Sequence, residues 1–552
     1  MNNYNICKLL LAAAPLCACS PSKECHNKPN ILYIMSDDHT SQAIGVYESR
    51  LASLNPTPNI DRIGREGVVM TNAFSTNSIS TPSRACIITG QYGNVTEVYD
   101  LDSSLPIEEQ YLPQEMHKLG YQTAMVGKWH LGEHPESFDY YNIFYGQGRY
   151  FDPVLIEKDM PQCDTVKYPF KGKEYVVGKM YEGHSSDVVT DISLDWLENK
   201  RDKSKPFFLC HHFKAPHDLF EYSPRYEEYL EDEFIPEPES LWDNQNNGSI
   251  ATRGENGSLL STIGSSVGKR NTIRNMGMHM DIDLSLSDDD YKRASYQEYL
   301  KRYLRCVKGV DDNVKRILDY LEQTGELDNT IIIYTGDQGF ALGEHDYIDK
   351  RWMYDETMRM PFLVRYPKEI EAGSKTDAIV NNVDFAETII DMAGGKAPEQ
   401  MQGESFKEIL YSGIEPEKWK KSTYYRYWMH MAHNHCNPAH FGIRTKDFKL
   451  ILFYGLDYID RDTGGKPLNG TKISIDAPDG LNLSRFQTPA AWELYDLRVD
   501  PEELNNCYDD PSYKGIIAEL KEQLKDLRDN IVKENDEQFP EIQKVIEESW
   551  NK

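Results

Sequence analysis

Short, wholly apolar runs recur along the first two thirds of this chain, and each run ends in polar or charged residues. The first run is residues 31–35, which lead through Ser36 into Asp37 and Asp38. Runs without alternating polar residues are typical of strands that are buried on both faces of a parallel sheet. Further runs share this pattern, at 124–126, 207–209, 331–334 and 362–364. The chain therefore predicts a buried sheet whose strand ends carry polar side chains.

A long amphipathic helix is predicted before the run at 331–334. Apolar residues recur there in steps of three and four with charges between them, at Leu300, Leu304, Val307, Val310, Val314, Ile317 and Leu321. Strands that alternate with helices indicate an α/β sandwich with a mostly parallel sheet. Because the active site of such a sheet lies at the carboxyl ends of its strands, we expect the polar strand ends to form one site.

The chain of 552 residues is predicted to have four parts. They are a lipoprotein-type signal peptide at 1–19, a polar tether at 20–29, a large α/β catalytic domain at 30–395, and a smaller α+β domain at 396–552. The smaller domain is predicted from apparent strands at 441–445, 449–454 and 492–497 and from an amphipathic helix at 517–531.

An insertion interrupts the catalytic domain at about 241–286. Asn, Gly and Ser dominate this segment and there is little periodicity, which indicates a long loop. A loop of that length is either functional or a solvated excursion, and the sequence favours neither.

The balance of charges is strongly acidic. Lys and Arg number 60 against 89 Asp and Glu, so the formal net charge is −29. A surface of this sign repels phosphate groups, which argues against a nucleic-acid partner and against binding to anionic lipid. If the substrate is an anion, a few local cations or a metal must supply the attraction.

The N-terminus has the pattern of an export signal. Residues 9–16 are apolar and follow Lys8, and this run is too short to span a bilayer. The segment Leu16-Cys17-Ala18-Cys19 resembles the lipobox of bacterial lipoproteins, in which Cys19 would become the acylated first residue of the mature chain. We therefore expect export to the bacterial cell envelope with a lipid anchor at Cys19. Ordinary signal cleavage is the alternative.

Two pairs of residues with oxygen-bearing side chains stand at predicted strand ends, Asp37-Asp38 and Asp337-Gln338. Together they offer three carboxylates and an amide carbonyl, which are hard oxygen ligands that suit Ca²⁺ or Mg²⁺ rather than zinc. Either pair alone could equally cap a helix or form a turn. Two such pairs at one edge of a sheet favour a metal site.

A second candidate cluster is the segment Ser80-Thr81-Pro82-Ser83-Arg84. Pro82 lacks a backbone donor and is best placed in the first turn of a helix. Ser80 would then lie near the helix N-terminus, with Arg84 one turn further along the same face. A hydroxyl and a cation in that position can bind an oxyanion, although a pattern this short also occurs by chance.

Five motifs follow one another in a characteristic order. They are Ser36-Asp37-Asp38; Ser80 to Arg84 with Thr89-Gly90 behind it; Gly127-Lys128-Trp129-His130; Pro216-His217; and Gly336-Asp337-Gln338-Gly339. In this combination they resemble the type I sulfatases of the alkaline-phosphatase superfamily. The resemblance extends from residue 30 to about residue 505, and it includes Gly343-Glu344-His345 with Lys350 beyond it.

The resemblance implies a sulfuric ester hydrolase with a modified nucleophile and a metal. Ser80 matches the residue that a dedicated maturase oxidises to formylglycine, and this chain has Ser where many relatives have Cys. The residues Asp37, Asp38, Asp337 and Gln338, with the modified Ser80, match the ligands of a metal that is usually Ca²⁺. Many relatives have Asn in the last of these positions, and Gln keeps the carbonyl oxygen on a longer side chain.

The remaining matched residues are polar groups that hold the nucleophile and the sulfate. Arg84 matches the residue that holds the formylglycine. Lys128, His130 and Lys350 match the residues that grip the nucleophile and the sulfate oxygens. His217 matches the proton donor to the leaving alcohol, whose pKa lies far above neutrality, so that an acid is needed.

Specificity for one sulfated sugar must come from side chains outside these motifs, and loops are where such side chains usually lie. The candidates are His345 and, in the histidine-rich stretch after Arg426, Trp428, His433 and His435. Their donors, acceptors and stacking face suit a polar ring, although a hinge between domains is an equal alternative. We expect the substrate to be a sulfated oligosaccharide of mucin or glycosaminoglycan type that loses sulfate at an exposed chain end.

Two other functions remain open from the sequence. One is a phosphodiester or phosphonate ester hydrolase of the same superfamily, which shares much of the site. The other is a sulfoglycan-binding lipoprotein in which Ser80 stays unmodified. The presence of both a nucleophile position and the proton donor His217 argues against a binding module.

Overall fold

The computed structural model describes residues 28–161, 165–170, 173–242, 247–460, 466–467 and 486–552. The predicted signal peptide and lipid-anchored Cys19 lie outside the described residues, as do residues 243–246 of the predicted insertion. Within the described ranges, no helix combines the length and the apolar character that crossing a membrane requires.

The strands of the described residues are numbered in chain order. They are β1 Asn30–Ser36, β2 Val68–Phe74, β3 Gln122–Gly127, β4 Tyr140–Phe144, β5 Val154–Glu157, β6 Thr165–Phe170, β7 Lys173–Val177, β8 Lys179–Met180, β9 Phe207–Phe213, β10 Thr330–Gly336, β11 Ala341–Leu342, β12 Ile348–Asp349, β13 Arg359–Arg365, β14 Ser374–Thr376, β15 Val380–Asn381, β16 Ser422–Tyr427, β17 His440–Thr445, β18 Phe448–Phe453, β19 Ile459–Asp460, β20 Lys466–Pro467 and β21 Ala491–Asp496.

The α-helices are numbered in the same way. They are α1 Ile60–Arg65, α2 Ser80–Thr89, α3 Gly93–Thr96, α4 Tyr111–Lys118, α5 Ser185–Asp195, α6 Ile250–Arg253, α7 Met276–His279, α8 Asp288–Gln323, α9 Asp355–Met358, α10 Phe385–Met392, α11 Lys407–Ser412, α12 Lys514–Asp526 and α13 Pro540–Trp550.

The large sheet has the strand order β14-β2-β13-β10-β1-β9-β3-β4-β5-β8, and β15 also pairs with β2. Its centre, from β10 through β1, β9 and β3 to β4, is parallel. The strand β13, which contains the apolar run 362–364, is antiparallel to both of its neighbours, β10 and β2. The predicted α/β sandwich with a mostly parallel sheet is confirmed.

Helices cover both faces of this sheet, which explains why its strands are apolar throughout. Along β1, Leu32 and Ile34 belong to a core shared with α5 and α8. The intervening residues Ile31, Tyr33 and Met35 belong to a second core shared with α2, α4 and α10. Since successive side chains of a strand point to opposite faces, a sheet between two helical layers leaves no face for polar residues.

The smaller sheet is antiparallel, with the order β16-β17-β18-β21. The helices α12 and α13 pack against it, and Leu452 of β18 shares a hydrophobic cluster with Leu520 and Ile546. The predicted smaller C-terminal unit of sheet and helix is confirmed, whereas β16 escaped prediction because its sequence, Ser-Thr-Tyr-Tyr-Arg-Tyr, lacks aliphatic residues.

The register of the central strands determines which polar segments meet. Ser36, the last residue of β1, lies opposite Gly336 of β10 and Phe213 of β9. Gly127, the last residue of β3, lies opposite His212 of β9. The polar segments that follow these strands therefore leave the sheet side by side at one edge.

Candidate active site

Three carboxylates and one amide meet at the carboxyl edge of the sheet. Asp37 and Asp38 follow β1, Asp337 and Gln338 follow β10, and each of the four is 0% exposed. The backbone N–H of Asp38 donates to Asp337 Oδ1 at 3.1 Å, and the Gln338 side chain donates to Asp38. The parallel pairing of β1 with β10 thus places Asp37-Asp38 beside Asp337-Gln338, although the two pairs are about 300 residues apart in sequence.

Ser80 begins α2 and lies buried beside these carboxylates. Its Oγ donates to Asp37 Oδ1 at 3.2 Å. Pro82 occupies the first helical turn, where its missing N–H costs nothing. The next residue, Ser83, donates from its hydroxyl to the backbone carbonyl of Asp337. The N-terminus of α2 is thereby held against the strand ends, with the Ser80 hydroxyl facing Asp37.

Each of the three carboxylates is paired with its own buried cation. The pairs are Lys128 Nζ with Asp37 Oδ2, Arg84 Nε with Asp337 Oδ2 at 3.1 Å, and Lys350 Nζ with both oxygens of Asp38 at 2.6 Å. Arg84 also donates to the backbone carbonyl of Lys128 at 2.6 Å, which ties α2 to the end of β3. Within a strongly acidic protein, the site therefore balances its three buried carboxylates with three cations.

Gly127 accounts for the sharp turn that brings Lys128 into the site. Its φ is +102°, a value that residues with a side chain rarely adopt. A Cβ at this position would lie 1.9 Å from the carbonyl oxygen of His212. The same carbonyl accepts the backbone N–H of Lys128 at 3.0 Å. The close approach of the two strand ends therefore needs a glycine.

Burial and neighbouring charges shift the pKa values of these groups. Burial lowers the pKa of Lys128 far below its usual range. Burial alone would raise the pKa of Asp337, but Arg84, Lys128 and Lys350 hold it at about 2. For Asp38, burial raises the pKa while Lys350 opposes the rise. Pairs of charged groups with displaced pKa values are characteristic of catalytic and metal-binding sites.

His217 lies in the loop that follows β9, with its side chain 15% exposed. Its Nε2 is 3.8 Å from Asp38 Oδ2. Its Nδ1 lies 2.7 Å from Asp218 Oδ1 and forms a hydrogen bond with the backbone carbonyl of Asp218 at 2.8 Å. Burial, and next the charge of Lys350, lower the pKa of His217 to about 3, while Asp218 acts in the opposite direction. Because Nδ1 is bonded to Asp218, Nε2 is the nitrogen that faces the carboxylates.

The predicted insertion reaches this histidine through Arg274, whose guanidinium donates to Asp218 Oδ2 at 2.8 Å. The same segment is held to the strand-end loops by Arg270, which donates to Asp346 at 3.0 Å. The insertion thus contributes to the site. Sequence reasoning missed both Asp218 and Arg274. Asp218 could have been identified because it directly follows His217 in the sequence. Arg274 could not, because its segment has no periodic pattern.

His130 comes from the segment after β3 and contacts the start of α2. Its Nδ1 lies 3.3 Å from the hydroxyl of Thr81, the residue after Ser80. Burial, and next the charge of Lys128, lower the pKa of His130 well below its usual range. The structure therefore brings together the ten residues expected to act on the nucleophile, the sulfate or the metal: Asp37, Asp38, Ser80, Arg84, Lys128, His130, His217, Asp337, Gln338 and Lys350.

The oxygen donors of this site fit a hard divalent cation. One ligand atom from each of Asp37, Asp38 and His217 lies within 4.8 Å of the others. Gln338 Oε1 is buried and accepts no hydrogen bond from any residue that the structure describes. Carboxylate and amide oxygens are the ligands that Ca²⁺ and Mg²⁺ prefer. A cation among these groups would satisfy the orphaned amide oxygen.

Two of the residues predicted to contact a sugar lie near the mouth of the site. His435 is paired with Asp349, which immediately precedes Lys350. His433 is 39% exposed, and its Nε2 is 4.0 Å from Asp102 Oδ2. His433 is therefore open to solvent, whereas the His435 side chain, at 12% exposed, is mostly covered.

The other two predicted sugar contacts are deeply buried. His345 is 2% exposed and lies 3.8 Å from Glu356. Trp428 is 3% exposed, with the Arg426 guanidinium 3.5 Å from its ring centroid and the Tyr99 ring at 4.4 Å. Their contact with substrate stays a prediction, and in this structure their surfaces are covered by protein.

Two family models match the chain. Residues 29–395 match the model described as Sulfatase. Residues 343–461 and 480–530 match the model described as N-sulphoglucosamine sulphohydrolase, C-terminal. Together the two matches include every strand of the large sheet and all four strands of the smaller one.

Known proteins of similar sequence include two sulfatases. The N-acetylglucosamine-6-O-sulfatase of Bacteroides thetaiotaomicron is 37% identical over 568 residues, and the match covers 96% of this chain and 92% of that protein. The N-acetylglucosamine-6-sulfatase of Capra hircus is 27% identical over 423 residues, with 72% of this chain and 66% of that protein covered.

Solved structures of similar fold include a protein in complex with its substrate D-glucosamine-2-N,6-O-disulfate. That structure has a TM-score of 0.73 and 35% identity, with 92% of this chain and 100% of that chain covered. The phosphonate monoester hydrolase of Silicibacter pomeroyi has a TM-score of 0.64 at 18% identity, with 91% and 96% covered. The second likeness is one of fold alone.

Proposed function

The chain belongs to the sulfatase family, and we propose that it hydrolyses the 6-O-sulfate ester of N-acetylglucosamine in sulfated carbohydrate. The observation that carries this proposal is the convergence of Ser80 and Lys128 on one buried carboxylate, Asp37. The substrate follows from the relative that is 37% identical across nearly the whole chain and is an N-acetylglucosamine-6-O-sulfatase.

The fixed cations of the site suit the transition state of sulfate transfer. A sulfate ester carries one negative charge, and this charge spreads over the sulfuryl oxygens and the leaving oxygen as the bond breaks. Lys128 and Lys350 are 0% and 5% exposed, so their N–H donors act in a region from which water is largely excluded, and, against the effect of burial, the pKa of Lys350 is raised by Asp38 and other nearby carboxylates. Electrostatic stabilisation by such preorganised groups is usually the largest single contribution to catalysis.

We propose that Ser80 acts after oxidation to formylglycine by a maturase. A serine hydroxyl is a weak nucleophile unless a base activates it, and the group that Ser80 contacts, Asp37, is already paired with Lys128. As formylglycine, the residue would supply a geminal diol for attack on sulfur and would regain its aldehyde when sulfate leaves. Arg84, which lies one turn after Ser80 and is bonded to the Lys128 carbonyl, and His130, which contacts Thr81, would orient it.

A divalent cation, which we propose to be Ca²⁺, would be held by Asp37, Asp38, Asp337 and Gln338 and would polarise a sulfate oxygen. The support for this assignment is the buried set of oxygen donors with its orphaned amide oxygen. The three paired cations would remain to balance the carboxylates and the anionic substrate.

His217 is the residue proposed to protonate the leaving sugar hydroxyl. Its Nε2 faces the carboxylates while Asp218 holds Nδ1. The alcohol is a poor leaving group, so a proton must reach its oxygen as the S–O bond breaks. Burial keeps the imidazole neutral in the free site, since its pKa is about 3, while Asp218 acts in the opposite direction. The negative charge of a bound sulfate would act together with Asp218 and favour the charged form, which can donate from Nε2 while it remains bonded through Nδ1.

We also propose that the protein is exported and lipid-anchored through Cys19, on the strength of its apolar N-terminal run and lipobox-like segment. Labelling of growing bacteria with a fatty acid should tag the natural sequence and leave Cys19→Ser untagged. Equal labelling of both proteins would rule out an anchor at Cys19.

The experiment that tests the activity is a panel of desulfation assays with protein produced alongside a maturase. We expect N-acetylglucosamine 6-sulfate to be turned over far faster than the 3-sulfate, N-acetylgalactosamine 6-sulfate or an aryl phosphonate ester. The peptide that contains Ser80 should be lighter by two hydrogens, and Ser80→Ala should abolish turnover with little change in melting temperature, since no core contact is removed. Preference for the phosphonate ester would overturn the proposal, and full activity with intact serine would overturn the role of formylglycine.

A further inference from the structure

A cavity of about 450 Å³ opens beside His130. The polar part of its lining consists of Asp102, Ser103, His134, Tyr145 and Gln147. Side chains of the hydrophobic core, among them Phe144, form its base. This volume lies within the range of about 300–1,000 Å³ that is usual for sites that bind small molecules.

The cavity adjoins the candidate active site through His130 and the histidine-rich loop through Asp102. His130, which lines it, contacts Thr81 next to the nucleophile position at 3.3 Å. Asp102, which also lines it, lies 4.0 Å from His433. A carbohydrate whose sulfate is held at Ser80 can therefore extend into this space.

The lining favours a neutral ligand that is rich in hydroxyl groups. No Lys or Arg is among the residues known to line the cavity in the part of the chain that the structure describes, and Asp102 is 77% exposed there. Gln147 Oε1 is shielded from solvent and accepts no hydrogen bond from a described residue. Sugar hydroxyls can donate to both groups, whereas a carboxylate or sulfate would face Asp102 in a lining that offers it no Lys or Arg.

We propose that this cavity is a second sugar subsite, which binds the uncharged sugar linked to the sulfated residue. The proposal rests on the carbohydrate sulfatase activity inferred above and narrows its substrate. An oligosaccharide in which a neutral hexose adjoins N-acetylglucosamine 6-sulfate fits the lining. One in which a hexuronic acid occupies the same place does not fit, because its carboxylate would lose hydration without gaining a partner.

The test compares kcat/KM for three substrates: N-acetylglucosamine 6-sulfate alone, its disaccharide with galactose, and a matched disaccharide with a hexuronic acid. We expect the galactose-linked substrate to exceed the monosaccharide by about tenfold, because a few hydrogen bonds to sugar hydroxyls contribute that much. The uronate-linked substrate should fall below the monosaccharide. Equal values for the monosaccharide and the galactose-linked disaccharide would overturn the proposal.

Two variants connect the preference to the cavity. Gln147→Ala should reduce the ratio of disaccharide to monosaccharide turnover to within about twofold, and Asp102→Asn should raise turnover of the uronate-linked substrate relative to the galactose-linked one, since it removes the repelling charge. Gln400→Ala, an exposed position that does not line the cavity, is the control and should leave every ratio unchanged. Unchanged ratios in Gln147→Ala and Asp102→Asn would place the second sugar elsewhere.

Binding provides a readout that does not depend on catalysis. Calorimetry with the Ser80→Ala protein and the desulfated sugars should show tighter binding of the galactose-linked disaccharide than of N-acetylglucosamine. If no sulfated sugar is turned over, the proposed activity fails, but this comparison still decides whether the cavity binds a neutral sugar. Equal affinity for the two sugars would reject the subsite even in an active enzyme.

Discussion

The guanidinium of Arg274 lies 2.8 Å from the carboxylate of Asp218. Asp218 in turn holds Nδ1 of His217, so a residue of the predicted insertion is two contacts away from the proposed proton donor. The insertion therefore affects the chemistry through position: it orients the carboxylate that orients the histidine. A residue that acts through two such contacts can still alter turnover strongly, because a small displacement of a catalytic group lowers the reaction rate.

Arg274→Ala should reduce turnover of the sugar sulfate by about tenfold, since the Asp218–His217 pair loses its support. An aryl sulfate with a good leaving group needs no proton donor, so its turnover should change much less. Arg225→Ala is a suitable control, because Arg225 forms an exposed ion pair with Asp187 at 2.7 Å. Equal losses on both substrates would show that Arg274 does not act through His217.

Chelation should abolish turnover and lower the melting temperature, and Ca²⁺ should restore both. An ion present at 100 times its dissociation constant stabilises the folded state by about 2.7 kcal/mol. Asp337→Asn should lose most of this Ca²⁺-dependent shift, whereas Asp529→Asn, at an exposed position, should keep it. The measurement is thermal unfolding with and without added ion. Recovery with zinc in place of Ca²⁺ would contradict the assignment of the ligands.

His435→Ala should lower kcat/KM for the sulfated glycan by about tenfold more than for a small aryl sulfate, because a site built to bind hydroxyls is penalised when a partner is missing. Trp428→Ala serves as the contrast. That ring is 3% exposed, so its removal should cost about 3–5 kcal/mol of stability. A ratio between the two substrates that falls in Trp428→Ala would support its predicted contact with sugar, and an unchanged ratio would assign it to the scaffold. A ratio that stays constant in His435→Ala as well would assign this histidine to the scaffold.

Glu387 should make stability depend on pH. It is buried in α10, where Oε1 accepts the backbone N–H of Gly403 at 2.8 Å, and burial raises its pKa to about 8 from 4.5. The folded state therefore holds this proton more tightly than the unfolded chain. Its contribution to stability is complete below pH 4.5 and is lost as the pH rises through about 8.

Glu387→Gln removes that titration and keeps the acceptor for Gly403. The decrease in melting temperature between about pH 6 and about pH 9 should be smaller in this variant than in the natural sequence. Glu417→Gln, at an exposed position, should retain the full decrease. The same pH dependence in all three proteins would mean that Glu387 does not titrate in this range.

Much of the fold was predictable because its signals are local. The run at 331–334 became β10, Thr330–Gly336, and the steps of three and four from Leu300 to Leu321 lie within α8, Asp288–Gln323. Continuous apolar runs are readable because both faces of the sheet are covered by helices. The direction of each strand could not be predicted in the same way. The strand β13 is apolar like its neighbours but antiparallel to them, because an apolar run is compatible with either direction of pairing.

The chemical groups at the strand ends and the motif that begins α2 were predictable from the sequence, because they follow from local patterns and from the order of the motifs. The pairwise contacts between these groups depend on how the chain folds. Lys350 reaches Asp38 across 312 residues of sequence, and Arg274 reaches Asp218 from a segment without periodicity. Such contacts, like the cavity beside His130, depend on strand order and on the packing of distant loops, and no local pattern of residues encodes either.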